Sequence, residues 1–514
     1  MNTYEPALYS TFFSLLPALL AITLALITKE VYSSLFIGIV AGALLYAGGN
    51  LELAYNTLLF NEEGGLIPNI ADTSHASILV FCALLFMLVE ILNRAGAVAA
   101  FGKFATSRIK SRVGTQLAAI LLGVLIFVDD GFNCMTVGSV MRPLSDRQKI
   151  SRAKLAYIID STAAPVCIIA PISSWAAAVT SSVPESMGIN GFAMFVKLIP
   201  YNLYALLTLL MMVLLVTMKV DFGPMKKTEE RALAGDVGAS EALSTDAPSK
   251  GMQGKAKPVD LILPVVLLIV TCVFCMAYTG GIFEGASLQM AFADCDSPRA
   301  LVMGSLFTLI FTCIFFLLRG ILDFKTFMGG IPAGLRTMCA PMIILILSWN
   351  LSGMTGLLGA APYIHDVVEA SAGSLQMFLP VIIFLISVFL AFASGTSWGT
   401  FMILIPIICG VFPENEAMLL VSIAACLSGA VCGDHCSPIS DTTIMSSAGA
   451  GCNHVEHVST QLPYAITTAA VSAAGFLISG ILAYTAGAGA ALLGTPVAFA
   501  ILFGVVMIAK RKKG

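Results

Sequence analysis

Two aspartates and a histidine lie close together near the C-terminal end of the chain, in the segment Cys432-Gly-Asp-His-Cys-Ser-Pro-Ile-Ser-Asp-Thr-Thr443. The run before this segment, 417–427, is apolar enough to be half of a membrane-crossing helix. Carboxylates such as those of Asp434 and Asp441 persist at membrane depth where they line a cavity or an ion pathway. The segment therefore predicts an ion-binding or substrate-binding site.

The same segment predicts a broken helix. We expect Gly433 to end the first half, which puts Asp434 and His435 in the break. Ser437-Pro438 is typical of an N-cap followed by a proline at the first helical position, so the second aspartate falls in the first turn of the second half. Carbonyls freed at the end of the first half-helix can coordinate a cation, and the positive N-terminal end of the second favours an ionised carboxylate.

The composition indicates a membrane protein. Of 514 residues, 58% are hydrophobic and 11% are charged, and the mean hydropathy is +0.92, which a soluble protein cannot sustain. Apolar runs of about 20 residues recur along the chain, and each is long enough to cross a bilayer. The 13 cysteines are scattered singly among apolar residues, so they predict no disulfide framework. We expect an all-α polytopic protein of the inner (cytoplasmic) membrane.

The charges of the loops predict how the chain is oriented. The connection 49–75 carries Glu and Asp residues but no Lys or Arg, whereas 94–112 is rich in Lys and Arg. Because basic loops stay in the cytoplasm, the first connection is expected outside and the second inside. The N-terminus then lies outside and the C-terminus, with the basic run 510–513, lies in the cytoplasm.

Two segments are expected to enter the membrane and return to the same side. Gly114 to Arg142 lies between two basic loops, and its apolar part is only about fifteen residues, which is short for a full crossing. We predict a re-entrant hairpin there, with its tip at Asp129–Asn133. Leu375 to Phe412 has acidic or neutral ends and an interruption at Ser394–Gly399, which predicts a second hairpin entering from outside.

Short matches indicate an internal duplication. Ala170–Ser174 corresponds to Ser437–Asp441, and Asn93–Gly96 corresponds to Asn350–Gly353. The span around the first of these, 153–183, is interrupted by prolines, so it is predicted to be broken too. Paired interrupted segments of this kind mark the site of a transporter. The predicted organisation is two inverted-topology repeats, each with five spans, a hairpin and a broken helix, at 1–218 and 261–486, a flexible cytoplasmic linker at 219–260, and an extra C-terminal helix with a basic tail at 487–514.

Three motifs resemble those of the NhaC-type Na⁺/H⁺ antiporter family: Phe127–Gly131, Ser394–Gly399 and Gly433–Thr443. The likeness covers nearly the whole chain, and the last motif is long and specific. The resemblance implies the ion transporter superfamily, whose members bind Na⁺ and substrate with two hairpins and two broken helices. Relatives of NhaC include malate/lactate exchangers, so the resemblance implies the class of transporter better than its cargo.

The residue types fit competition between Na⁺ and a proton. A hard cation takes oxygen ligands, and crowded carboxyls can hold a proton until Na⁺ displaces it. The expected ion- or substrate-binding residues are Asp129, Asp130, Asn133, Ser173, Ser394, Thr396, Ser397, Asp434, His435, Ser440, Asp441 and Thr442. Among them, the expected Na⁺ ligands are Asp130, Asp434, Asp441 and Thr396.

Several of these residues have a structural alternative. Asp129 or Asp130 could cap a half-helix, and Asp441 could only hydrogen-bond the opposite hairpin. His435 is as consistent with a packed histidine as with a proton relay. Asp160, in the first broken span, is evenly balanced between a structural and a functional role.

Na⁺/H⁺ antiport is the function we expect, because several carboxylates and no obvious buried Lys or Arg line the predicted site. The alternative is a Na⁺- or H⁺-coupled carrier or exchanger of a small organic acid (malate/lactate type) or an amino acid. A site-sized cavity between Asn133, Thr396 and Asp434 would favour the carrier, and ion-sized room would favour the antiporter. A passive channel is a third reading.

The remaining expectations concern partners and cofactors. No nucleophile–base pair or cofactor motif appears, so we expect no enzyme activity and no cofactor other than Na⁺ as the transported or coupling ion. The expected partners are a monovalent cation, a proton and the lipid bilayer, with no nucleic acid. The sequence leaves open whether the chain works as a homodimer.

Overall fold

The described part of the computed structural model is helical and contains no β-strand. The structure describes residues 6, 8–28, 30–109, 111–184, 187–238, 255–287, 290–291, 295–360, 362–363, 366, 373–438 and 440–511. Three short 3₁₀ helices occupy Phe12–Leu15, Ile199–Tyr201 and Ile282–Glu284.

The α-helices of the first half of the chain are α1 Leu16–Thr28, α2 Val31–Tyr46, α3 Leu51–Phe60, α4 Leu66–Ala71, α5 Thr73–Arg94, α6 Ala97–Arg108, α7 Arg112–Leu125, α8 Asp130–Arg147, α9 Arg152–Thr162, α10 Ala164–Cys167, α11 Ser174–Ser182, α12 Gly191–Leu198, α13 Leu203–Met218 and α14 Pro224–Ala234. Those of the second half are α15 Val259–Thr279, α16 Ser297–Leu318, α17 Phe324–Leu357, α18 Gly373–Gln376, α19 Leu379–Ser394, α20 Ser397–Val411, α21 Glu416–Cys436, α22 Asp441–Ala450, α23 His454–Ala486, α24 Ala488–Ala491 and α25 Gly494–Arg511.

The helices include enough apolar spans for a multi-pass membrane protein. Within the described ranges, 6 helices are long and apolar enough to cross a membrane, and up to 8 if each of two bent pairs is one span. The bent pairs are α12 with α13, at 46°, and the two parts of α17, at 41°. The prediction of an all-α polytopic membrane protein is confirmed.

Helices α7 and α8 form the first predicted hairpin, because both of its ends contact the same helix, α14. Arg112, at the start of α7, forms an ion pair with Glu229 of α14. The other carboxylate oxygen of Glu229 accepts a hydrogen bond from the backbone N–H of Ser151, 2.8 Å away. Lys149, two residues after α8, donates to the carbonyl of Leu233 at 3.3 Å. How deep this hairpin lies in a membrane stays a prediction.

Helices α19 and α20 and the turn between them occupy the second predicted hairpin. That both of its ends lie outside stays a prediction. Its turn is made by Gly395, whose φ of 71° is in the left-handed region, where glycine avoids the steric cost of a Cβ atom. Thr396 then caps α20, because its hydroxyl oxygen accepts from the backbone N–H of Gly399 at 3.3 Å. The turn therefore depends on two residues of the Ser394–Gly399 motif noted in the sequence.

Both predicted broken spans are broken. The first runs through α9 and the short α10 before α11 begins at Ser174, with Ser173 as its N-cap. In the second, α21 ends at Cys436 and α22 begins at Asp441. The prediction that Asp441 lies in the first turn of the second half-helix is therefore confirmed.

The exact place of the second break differs from the prediction. Helix α21 continues through Gly433, so Asp434 and His435 lie in its last turn rather than in the break. A Cβ atom on Gly433 would lie 2.2 Å from the carbonyl oxygen of Val388 in α19, so this glycine allows two helices to pack closely and does not end one. Ser437 is the C-cap of α21 rather than the N-cap of α22.

The beginning of the predicted flexible linker is folded onto the helix bundle. Residues 219–238 contain α14, and Asp221 accepts hydrogen bonds from Lys154 Nζ at 2.7 Å and from the hydroxyl of Tyr464 at 2.9 Å. Lys154 is only 1% exposed, so the chain contains a buried lysine that was not expected. The sequence did not reveal it because its counter-ion lies in the segment that was read as linker. Residues 239–254 lie outside the described residues.

Candidate functional site

The ends of three helices that carry aspartates meet where hairpin α7–α8 packs on the second broken helix. Asp130 begins α8, Asp434 lies in the last turn of α21, and Asp441 begins α22. The first turns of α8 and α22 are in contact, because Cys134 Sγ lies 3.7 Å from the carbonyl oxygen of Thr442. The helix ends therefore place carboxylates beside the positive ends of two helices and the carbonyl end of a third.

Asp434 is the buried member of this group. It is 1% exposed, and its Oδ2 accepts a hydrogen bond from Thr442 Oγ1 at 3.2 Å. The Thr442 hydroxyl also lies 3.0 Å from the hydroxyl of Ser440. The second carboxylate oxygen, Oδ1, is buried and has no hydrogen-bond partner among the described residues. An unpartnered buried carboxylate oxygen is costly unless a cation or a proton satisfies it.

Asp130 and Asp441 lie within electrostatic range of Asp434. Each also accepts a hydrogen bond from the next backbone N–H, that of Gly131 at 3.0 Å and that of Thr442 at 2.9 Å. Asp441 is exposed, in contrast to Asp434. Carboxylates within electrostatic range repel one another when all are ionised, so the arrangement favours binding of a cation or protons.

Asn133 lies in the first turn of α8 rather than at the hairpin tip. Its amide nitrogen donates to the carbonyls of Gly123 at 2.7 Å, Ile126 at 3.0 Å and Thr162 at 3.0 Å. It therefore joins the C-terminal ends of α7 and α9, whose last carbonyls have no partner within their own helices. Its Oδ1 is buried without a hydrogen-bond partner in the described part of the chain.

Asp160 is the centre of a buried polar network that the sequence did not predict. Its Oδ2 accepts hydrogen bonds from Gln461 Nε2 at 3.0 Å and from Thr443 Oγ1 at 3.4 Å. It also lies 3.3 Å from His457 Nε2 and 3.7 Å from His435 Nε2. These groups belong to α9, α21, α22 and α23, so the network fixes both halves of the broken helix against two other helices.

His435 is a member of this network. Its Nδ1 lies 2.8 Å from the hydroxyl of Tyr204, and its Nε2 lies 3.3 Å from that of Ser161. Its backbone carbonyl accepts from Gln461 Nε2 at 2.6 Å. Gln461 and His457 were missed because they lie about 300 positions from Asp160, and Tyr204 was missed because it lies 231 positions from His435. The sequence signal that could have indicated such partners is Asp160 itself, since an aspartate within the first broken span needs hydrogen-bond partners.

The remaining predicted residues have local roles or lie elsewhere. Ser173 donates to the carbonyls of Cys167 at 2.7 Å and Ala170 at 3.0 Å, so it stabilises the first break. Ser394 donates to Leu390 O at 2.7 Å. With Thr396 it lines a small cavity beside α1 and α2, of about 20 Å³, which is room for about one water molecule.

The predicted Na⁺ ligands do not form one coordination shell. Two other residues of the predicted site lie next to these ligands in sequence: Ser397 is buried at the start of α20, and Asp129 immediately precedes α8. The hairpin of Thr396 reaches the second break through Ser437, whose hydroxyl donates to Phe392 O at 2.7 Å. Across the described ranges, no group of three or more His, Cys, Asp or Glu side chains is arranged to hold a metal ion.

The sequence is similar to a known protein family and to two proteins of one bacterium. The sequence profile of a family described as the Na⁺/H⁺ antiporter family matches residues 175–481. An uncharacterised protein of Haemophilus influenzae is 36% identical over 488 residues, which cover 92% of this chain and 91% of that protein. An uncharacterised Na⁺/H⁺ antiporter of the same organism is 31% identical over 104 residues, 20% of this chain and 22% of that protein.

Comparison with solved structures gives two matches at low sequence identity. The YdaH transporter of Alcanivorax borkumensis superposes with a TM-score of 0.59 and 12% identity, over 93% of this chain and 99% of that chain. MtrF of Neisseria gonorrhoeae, reported as one of a class of antimetabolite efflux pumps, superposes with a TM-score of 0.47 and 13% identity, over 85% of each chain. The first of these shows that the chain shares the fold of the YdaH transporter.

Proposed function

Because this chain belongs to the Na⁺/H⁺ antiporter family, we propose that it exchanges Na⁺ for protons across the cytoplasmic membrane. The family and the fold identify a secondary transporter. The observation that supports this particular exchange is the carboxyl cluster of Asp130, Asp434 and Asp441 at the ends of three helices, with Asp434 Oδ1 buried and unpartnered in the described part of the chain.

In the proposed mechanism, Na⁺ and a proton occupy the same carboxyl group in turn. Asp434 Oδ1 binds Na⁺, and the hydroxyls of Thr442 and Ser440 supply neutral oxygens beside it. Asp441, at the exposed edge of the site, binds the arriving ion first. When the carboxyls are protonated the site loses its negative charge and releases Na⁺. Exclusive occupancy of one site is sufficient to couple the two fluxes.

The Asp160 network positions the broken helix in this mechanism. Gln461 and Thr443 hold one half-helix each against Asp160. Since the neighbouring imidazoles of His435 and His457 face the Asp160 carboxylate, this carboxylate already has partners. We therefore assign it to positioning the site rather than to binding Na⁺.

The charges favour a cation over an organic acid. The buried Lys154 is neutralised by Asp221, so it is not available to bind an anionic substrate. This observation supports the antiporter over the organic-acid carrier. The cavity of about 20 Å³ that reaches Thr396 is lined by neither Asn133 nor Asp434, so it is not the space expected between these three residues.

We also propose that 1–218 and 261–486 are inverted-topology repeats, with 487–514 as an extra C-terminal helix and tail. The matched motifs support this, because Ser173 and Ser440 both cap the second half of a broken helix. The other match is weaker in structure: Asn93 lies at the end of α5, whereas Asn350 lies inside α17. We propose an external N-terminus and a cytoplasmic C-terminus from the loop charges.

Flux measurements in proteoliposomes test the proposed function. The purified protein is reconstituted with a pH-sensitive dye inside, and Na⁺, Li⁺, K⁺, organic acids or amino acids are added outside. We expect Na⁺ to drive proton movement in the absence of any organic solute. Proton movement that requires an organic acid or amino acid would refute the antiporter and favour the carrier.

A further inference from the structure

A large cavity lies apart from the carboxyl cluster, among α4, α5, α11, α17 and α20. Its volume is about 580 Å³, which falls in the range of sites for small molecules and hydrated ions. The mouth includes Glu62 and Glu63, which are exposed, and both lie in the acidic connection 49–75. The walls include Asp72, Ser352 and Ser182.

The charge on the cavity wall has one sign. Glu62, Glu63 and Asp72 line it, and the described lining includes no Lys or Arg. The Asp72 carboxylate is fixed in place because it caps α5, accepting from His75 N at 2.8 Å. A cleft lined by charges of one sign, with low-dielectric walls, raises the local concentration of the opposite ion.

The wall also includes two residues with unpartnered polar atoms. Ser348 Oγ and Trp349 Nε1 are buried and have no hydrogen-bond partner among the described residues, and both residues line the cavity. Trp349 is kept in place by His75, whose ring is stacked on it at a centroid distance of 3.9 Å. A roomy cavity whose lining includes carboxylates and hydroxyls is suited to water rather than lipid.

Side chains of α11 and α20 form one part of the cavity lining. Ser182 Oγ lies 2.8 Å from Met402 Sδ, which joins the two helices. Nearer the helix starts, the Trp175 ring lies 6.0 Å from Trp398 and 5.7 Å from Phe401. Helix α11 begins at the first break and α20 at the tip of the second hairpin. This aromatic cluster therefore lies at the starts of α11 and α20, and none of its three residues belongs to the described lining of the cavity.

We propose that this cavity is an entrance that concentrates cations on their way to the carboxyl cluster from the side of the acidic connection. The aromatic cluster of Trp175, Trp398 and Phe401 closes its inner end. This inference rests on the proposed function and adds the route and the residues that select the sign of the ion. The carboxylates act by electrostatic attraction, so their effect weakens as salt increases.

The local potential in the cavity can be measured without transport. A Ser352→Cys variant, made with the exposed Cys339 changed to serine, is reacted with a trimethylammonium and a sulfonate methanethiosulfonate reagent of similar size. We expect the ratio of cationic to anionic labelling rates to be about tenfold higher than for a Leu51→Cys control on α3, because focusing raises local ion concentrations by at least that factor. Leu51 is 75% exposed and lies outside the cavity lining.

A second measurement tests whether the three carboxylates of the cavity cause the difference in labelling rates. In a Glu62→Gln, Glu63→Gln, Asp72→Asn variant the ratio at residue 352 should fall to that of the control, since asparagine still caps α5. Glu52→Gln, in the same connection but outside the lining, should leave it unchanged. Equal ratios at 352 and 51 in the unaltered background would overturn the proposed entrance.

Transport separates this inference from the proposed function. At low ionic strength the triple variant should need several-fold more Na⁺ for half-maximal exchange with an unchanged maximal rate, and high salt should remove the difference. An unchanged Na⁺ requirement at low salt would also overturn the entrance. If the protein shows the high labelling ratio but no Na⁺/H⁺ exchange, the proposed function fails and the cation-selective cavity remains.

Discussion

Gly138 of α8 and Gly449 of α22 are in direct backbone contact: a Cβ atom on Gly138 would lie 2.4 Å from the carbonyl carbon of Gly449. This contact holds the first hairpin against the second broken helix, two turns from the ends that carry Asp130 and Asp441. The geometry of the carboxyl cluster therefore depends on a crossing that admits no side chain.

Gly138→Ala should reduce both exchange and thermal stability, because the methyl group meets backbone that cannot move aside without separating the two helices. We expect at least a tenfold loss of Na⁺-driven proton flux and a lower melting temperature in detergent. Gly504→Ala is the matched control: no atom lies within 4 Å of its added Cβ, and alanine favours a helix over glycine by about 0.5–1 kcal/mol. Normal exchange in Gly138→Ala would show that this crossing does not set the site.

Asp434→Asn and Asp441→Asn should each abolish coupled flux while the protein stays folded and inserted. Asparagine keeps the shape and can still accept a hydrogen bond, but it cannot exchange Na⁺ for a proton. The measurement is Na⁺-driven proton flux at equal protein content, with the melting temperature in detergent as the check on folding. Glu52→Gln, on the exposed surface of α3, should transport normally. Normal exchange in Asp441→Asn would make that carboxylate structural.

The Lys154–Asp221 pair predicts an asymmetric response to substitution. Asp221→Asn leaves the 2% exposed Lys154 side chain charged and unpaired, which typically costs about 3–5 kcal/mol. Lys154→Met leaves Asp221, which is 16% exposed and still bonded to Tyr464, so it should cost less. The double variant should melt at a higher temperature than Asp221→Asn alone. A double variant that is less stable than both single variants would contradict a buried ion pair.

The first hairpin is tested by its sidedness. Cysteines at Ser111 and Arg147, just before α7 and at the end of α8, should both be labelled from the cytoplasmic side, because both ends of the hairpin contact α14. The experiment uses a membrane-impermeant thiol reagent on inside-out and right-side-out vesicles. Labelling of one cysteine from outside would replace the hairpin by a full crossing and remove the support for inverted repeats.

Local chemistry explains which parts of the fold followed from the sequence. The segment after residue 436 predicted the start of a new helix, but with Ser437 as its N-cap. The N-cap is Ser440, three residues later, and Asp441 still falls in the first turn. Gly433 was misread as a helix breaker because the need for a glycine there comes from another helix. The carbonyl of Val388, 45 residues earlier, packs against Gly433 and leaves no room for a side chain. A glycine used for close packing looks the same in sequence as one used for a turn.

Long-range partners explain what the sequence missed at the site. The aspartates at 130, 434 and 441 could be proposed because charge is rare at membrane depth. The role of Asp160 could not, because it is defined by Gln461 and His457, about 300 positions away. Lys154 was overlooked for the same reason, since its counter-ion Asp221 lies in a polar segment whose composition favoured a linker.

Titration of Na⁺ into the purified protein at several pH values tests the central claim most directly. If Na⁺ and a proton compete for the carboxyls of Asp130, Asp434 and Asp441, the apparent affinity for Na⁺ should fall about tenfold per pH unit below the pKa of the shared group, or about 1.4 kcal/mol per unit. Above that pKa the affinity should be constant, because the site holds no proton. A Na⁺ affinity that is the same from acid to alkaline pH would contradict the competition and the exchange mechanism built on it.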